Sequence, residues 1–143
     1  FILPNTTEAC FILHKPWKEE FTREEMLEMA EELSAFTKRY VILKGDTNNE
    51  NELGMIVLDK KESTCEIVYN DRIDYVSHGT GAVFASAFVG SVMNGKSPAA
   101  AAKIAGEFTK KAIEKTIGDE NHKYGVKFEQ VILEIGELLK TIS

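Results

Sequence analysis

The sequence predicts an α/β three-layer sandwich, a mixed sheet with helices on both faces. Short apolar runs bounded by polar turns alternate with segments of helical periodicity, and the helical segments carry strong start signals. A glycine turn also leads straight into an apolar helix. At 143 residues and 43% hydrophobic, the chain can fill one core. No repeat, low-complexity tract or composition break marks a boundary, so residues 1–143 are expected to form a single domain.

Phe1 to Leu3 reads as the end of a buried strand, so further chain is expected ahead of Phe1. Asn5 offers a side-chain cap to a helix from Thr6 to Leu13. After a loop from His14 to Phe21, Thr22-Arg23-Glu24-Glu25 forms a capping box, and Met26, Leu27, Met29, Ala30, Leu33 and Phe36 continue it at helical spacing. Tyr40 to Leu43 is a short buried strand, followed by a polar loop from Asp46 to Glu52. Met55 to Leu58 and Cys65 to Tyr69 are spaced as an antiparallel hairpin, and Asp74 to Val76 reads as a further strand entering the glycine turn.

Three helices follow. The first runs from Ala82 to Asn94 and stops at Gly95; the second starts at the Ser97-Pro98 cap and runs to about Ile117; the third spans about Phe128 to Ile142. In the second, Ala101, Ile104, Ala105, Phe108, Ala112 and Ile113 share a face, the mark of a helix lying on a sheet.

Charge and cysteine usage exclude several classes. The net charge is −6 with lysines and arginines scattered, which argues against nucleic acid or an anionic membrane as principal partner. No apolar run is long enough to span a bilayer. Cys10 and Cys65 have no metal-type spacing and read as free thiols of a reduced, cytoplasmic setting.

The chemistry concentrates at the glycine turn. A helix start leaves its first amides without partners and carries a partial positive charge, so Gly79-Thr80-Gly81 suits an anion such as phosphate. The same glycines also serve a plain strand-to-helix turn. Asn5-Thr6-Thr7-Glu8 has two readings as well. Glu8, one turn after an amide at a helix start, can hold magnesium or its waters, or can simply cap the helix. Lys44-Gly45 ends a strand, where open α/β sheets place ligand groups, yet a lysine leaving a strand is as often solvated. His78 adjoins the glycine turn; His14 and His122 stand in polar loops, and no zinc set or Ser-His-Asp pattern is present.

In order, Pro4-Asn5-Thr6-Thr7-Glu8-Ala9, Val41-Ile42-Leu43-Lys44-Gly45 and His78-Gly79-Thr80-Gly81 resemble the C-terminal half of the ribokinase-like vitamin kinases. Within these the chain looks most like the bacterial pyridoxal (pyridoxamine, pyridoxine) kinases, through Phe84-Ala85-Ser86-Ala87-Phe88-Val89-Gly90 and Tyr124-Gly125-Val126-Lys127-Phe128-Glu129. The resemblance implies a ribokinase-like fold and a cytoplasmic phosphotransferase moving the γ-phosphoryl of ATP, with Mg2+, to a hydroxymethyl group on a pyridine ring. It implies that Asn5 and Glu8 organise the metal and phosphate, and that Lys44 and Gly45 line the ATP phosphates. Gly79, Thr80 and Gly81 would form the anion hole, with Val76 and the loop from Asn121 to Tyr124 near the nucleotide. The complete form is expected to be a homodimer.

Two departures stand out. The family places an aspartate, or in one subgroup a cysteine, where this chain has Ala82, so the base is absent; losing a positioned base costs about 10²–10⁴ in rate. The family's N-terminal half, with much of the vitamin pocket, has no counterpart here, so this chain alone is expected to be inactive or strongly impaired. A hydroxymethylpyrimidine kinase of thiamine synthesis is the neighbouring alternative, and a catalytically inactive nucleotide-binding module is the other.

Overall fold

The computed structural model describes residues 1–46, 51–73, 78–119 and 125–143. Contacts group them into two compact units, Phe1–Tyr69 and Asn70–Ser143.

The first unit opens with α1 (Thr6–Leu13), held by reciprocal bonds between Asn5 and Glu8. α2 (Arg23–Leu33) is held in the same way by Thr22 and Glu25, then tightens into a 3-10 turn at Ser34–Phe36. β1 (Tyr40–Asp46), β2 (Glu52–Asp59) and β3 (Thr64–Asp71) form a sheet in that order, with β3 running two residues into the second unit. β1 and β2 are antiparallel. A turn of four residues, 60–63, joins β2 to its neighbour β3, a link too short for a parallel crossover, so the expected hairpin is present and longer than its apolar core.

Phe1 to Leu3 forms no full strand. Its place is taken by two isolated parallel bridges, Ile2 to Val41 and Asn5 to Lys44, which make the sheet mixed. Pro4, lacking an N–H, limits how far this ladder can extend.

The core of this unit gathers Ala9 and Cys10 of α1, Met26, Met29, Ala30 and Leu33 of α2, Val41 and Leu43 of β1, and Ile56 of β2. The spacing explains the membership: residues 26, 29, 30 and 33 share a helical face, and 41 and 43 share a strand face. Burying each larger side chain contributes about 1.5–3 kcal/mol. Ile42, on the opposite face of β1, is also fully buried, so β1 reads as one continuous apolar run.

The second unit holds α3 (Thr80–Met93), α4 (Pro98–Thr116), a 3-10 turn at Phe128–Gln130 and α5 (Glu134–Thr141). Ser97 Oγ accepts the Ala100 N–H at 3.2 Å, with Pro98 at the first helical position, and α4 forms where its cap predicts. α3 packs on α4. Phe84, Ala87 and Phe88 are buried on α3, and Ala101, Ile104, Ala105, Phe108 and Ala112 on α4, while Ile113 is only half-buried. No helix among the described residues is long and apolar enough to cross a membrane.

Two expectations need correction. The helix over Phe128 to Ile142 is two pieces: the 3-10 turn ends at Val131, whose φ of −116° and ψ of 3° leave the helical region, and α5 begins only at Glu134. Val131 is fully buried, and turning it inward breaks the apparent periodicity. α3 starts at Thr80, so only Gly79 stands outside the helix as its N-cap. The strand expected at Asp74 to Val76, including the nucleotide-contact candidate Val76, lies outside the described residues, as do Asn121 to Tyr124.

Candidate functional site

In the first unit, main-chain pairing builds the arrangement. The Ile2 N–H donates to the Tyr40 carbonyl at 3.0 Å, the Ile42 N–H to the Ile2 carbonyl at 2.9 Å, and the Lys44 N–H to the Pro4 carbonyl at 3.0 Å. These bonds lay the residues before α1 along β1 and bring Asn5 beside Lys44. The Asn5 N–H donates to Glu8 Oε2 at 2.8 Å, and the Glu8 N–H donates to Asn5 Oδ1 at 2.8 Å. The capping reading of Asn5 and Glu8 is therefore realised. It occupies Oε2 and leaves Oε1 as a second carboxylate oxygen for a hard cation or its waters, so the pair also fits a magnesium site.

Lys44 is half-buried, and Glu8 is exposed. Burial pushes the Lys44 ammonium below its ordinary value, while the Glu8 carboxylate acts in the opposite direction. Gly45 lies in a bulge between the pairs Lys44 with Met55 and Asp46 with Gly54. Its φ is 127°, and a Cβ there would meet the Thr6 methyl at 3.0 Å. Glycine thus lets β1 pass close to the first turn of α1. Along that turn runs a groove of about 540 Å³ lined by Ile2, Leu3, Pro4, Thr7, Phe11 and Ile12, with Glu8 its one charged lining residue.

In the second unit, Gly79 takes φ 84° and ψ −5° as the N-cap of α3, with no side-chain cap. Its carbonyl accepts the Val83 N–H at 3.1 Å, so the helical ladder begins there and Thr80, Gly81 and Ala82 form the first turn of α3. His78, Gly79, Gly81 and Ala82 are exposed. Ala82 and Val83 also line a groove of about 390 Å³ with Ser86, Ala87, Phe108, Phe128, Ile132 and Ile135. Anion donors and an apolar recess thus adjoin in one unit, a combination suited to a nucleoside phosphate.

The groove's far wall was not legible in the sequence, because the segment carrying Phe128 and Ile132 reads as helix; only the apolar excess over residues 126–135 signals it. Cys10 is buried and Cys65 exposed, both unbridged, and no group of three or more metal-ligating side chains occurs among the described residues.

The phosphomethylpyrimidine kinase family model matches residues 1–127. The comparison with curated proteins gave no match. Among solved structures, a protein of Bacteroides thetaiotaomicron assigned as a phosphomethylpyrimidine kinase, in a crystal form with pyridoxal, is 27% identical with a TM-score of 0.84, over 94% of this chain and 48% of that one. Bacillus subtilis pyridoxal kinase, in an ADP complex, is 25% identical with a TM-score of 0.72, over 92% of this chain and 50% of its own. Staphylococcus aureus pyridoxal kinase with AMP-PCP is 25% identical with a TM-score of 0.70, over 88% and 45% respectively. The chain spans about half the length of these relatives and shares their ribokinase-like α/β fold over that half. By the family match over most of its length, this chain belongs to the phosphomethylpyrimidine kinase family.

Proposed function

We propose that this chain is the nucleotide-handling half of an ATP-dependent kinase that phosphorylates the hydroxymethyl group of a pyridoxal-type vitamer. The observation that carries the reading is the junction at Ala82, where the first-turn amides of α3 meet the apolar groove. The turn Gly79-Thr80-Gly81, with Gly79 as N-cap and the amides of Thr80 and Gly81 in the first turn of α3, takes the transferring phosphoryl and the groove takes the base. Relatives bound to ADP or AMP-PCP support nucleotide use, and the relative with pyridoxal supports the pyridine substrate.

In the first unit, Asn5 and Glu8 would hold Mg2+, which supplies neutralisation of phosphate charge, and Lys44 and Gly45 are that unit's candidates for contacting nucleotide phosphates. Ala82 carries no group able to take the substrate proton, so turnover rests on positioning and on amide stabilisation of the phosphoryl.

The test is ATP-dependent phosphorylation by a complete protein carrying this half, with and without Ala82→Asp. The expected result is pyridoxal phosphorylation that rises by about 10²–10⁴ on substitution. Absence of phosphorylation in both forms, with Mg2+ and ATP present, overturns the kinase reading and leaves a nucleotide-binding module. The neighbouring alternative is a pyrimidine substrate, hydroxymethylpyrimidine. Assaying it in parallel decides between the rings, and turnover of the pyrimidine alone refutes the pyridine assignment.

A further inference from the structure

We propose that Thr116 is a positioning residue for the nucleotide. The inference rests on the nucleotide reading of the second unit. Thr116, the last residue of α4, is fully buried. Its hydroxyl donates to the Ala112 carbonyl at 2.7 Å, which spends its one proton, and accepts the Lys127 N–H at 2.9 Å.

What that second bond holds is an inverse γ-turn. Lys127 has φ −74° and ψ 60°, and the Phe128 N–H donates back to the Val126 carbonyl at 2.8 Å. A γ-turn is weak alone, and here the burial of Val126 and the ion pair of the Lys127 ammonium with Asp119 add to the Thr116 bond in fixing it. On one side of the turn Phe128 lines the groove with Ala82 and Val83. On the other, the Gly125 Cα lies 3.6 Å from where a Gly79 side chain would begin. The Thr116 hydroxyl therefore sets two things at once, the aromatic wall of the groove and the backing of the phosphate turn.

The test compares Thr116→Val, which keeps the shape and removes the hydroxyl, with Thr116→Ser, which keeps the hydroxyl. The readouts are the AMP-PCP dissociation constant of this chain by calorimetry and amide hydrogen exchange at Lys127. In Thr116→Val the Kd rises about five- to tenfold and the Lys127 amide exchanges faster, the scale of one lost buried hydrogen bond; Thr116→Ser stays within about twofold. If Thr116→Val fails to fold, Asp119→Asn supplies the second measurement, with a rise of about two- to threefold, the scale of a partly exposed ion pair. Faster exchange at Lys127 with an unchanged Kd overturns the positioning role and leaves the nucleotide reading intact. Failure of the unsubstituted chain to bind AMP-PCP overturns both.

Discussion

The Asn70 side chain fills the space beside Gly106 where any other residue would carry its first side-chain carbon: a Cβ built on Gly106 falls 2.2 Å from Asn70 Oδ1. Asn70, buried near the end of β3, donates through Nδ2 to the Lys103 carbonyl at 3.2 Å and to Glu107 Oε1 at 2.9 Å. Its Oδ1 finds no hydrogen-bond partner among the described residues, so the glycine gives room rather than a bond. On helix propensity alone, Gly106→Ala gains about 1 kcal/mol. The clash is with a buried, bonded group that cannot swing aside, and overpacking of that kind costs about 1–3 kcal/mol. Urea unfolding of Gly106→Ala is expected to show a net loss of stability; a gain refutes the tight seating of Asn70.

Glu8 serves as cap and as metal candidate, and two substitutions separate the roles. Glu8→Gln keeps an oxygen to accept the Asn5 N–H, so thermal stability changes little, while the lost charge removes the Mg2+ dependence of nucleotide binding. Glu8→Ala loses both, and α1 is destabilised by about 0.5–2 kcal/mol. Equal Mg2+ dependence in the unsubstituted chain and Glu8→Gln assigns the carboxylate to capping alone.

Ala82 is exposed in the first turn of α3, where the helix dipole favours negative charge. Ala82→Asp is therefore tolerated by this chain and raises its stability by about 0.3–1 kcal/mol at low salt, read as a higher Tm. A clear fall in Tm contradicts an exposed helix start at this position.

On the proposed reading, Lys44 is expected to link nucleotide binding to pH. Folding favours its neutral amine, because burial lowers its pKa. Its contribution to stability is thus unfavourable in acid and fades as pH rises through the lowered value. An anionic phosphate acts oppositely and restores the ammonium. Nucleotide binding is expected to take up protons in the alkaline range below the ordinary lysine pKa, and affinity to fall as pH rises through that range. Calorimetry in buffers of different ionisation enthalpy measures the uptake, and Lys44→Met abolishes it. Uptake that persists in Lys44→Met belongs to another group.

Elements with chemical end signals were legible in the sequence. Asn5, Thr22 with Glu25, and Ser97-Pro98 each place a helix start where it forms, because a cap is a local bond between residues three apart. No such signal stands before Phe128, and the periodicity there masks a chain turned by burial of Val131. The glycine turn was readable as a helix entry, but the wall that Phe128 and Ile132 give its groove depends on Thr116 and Lys127, eleven residues apart and joined by a side-chain bond. Likewise Asn5 and Lys44 meet through a parallel bridge across thirty-nine positions, which no local pattern encodes.

That bridge has a chemical consequence. Because the two positions are fastened by peptide groups, exchanging the side chain at 5 or at 44 leaves the other where it was. The corner is a fixed socket whose fitting can be exchanged freely only at 44, because the side chain at 5 also caps α1 by accepting the Glu8 N–H.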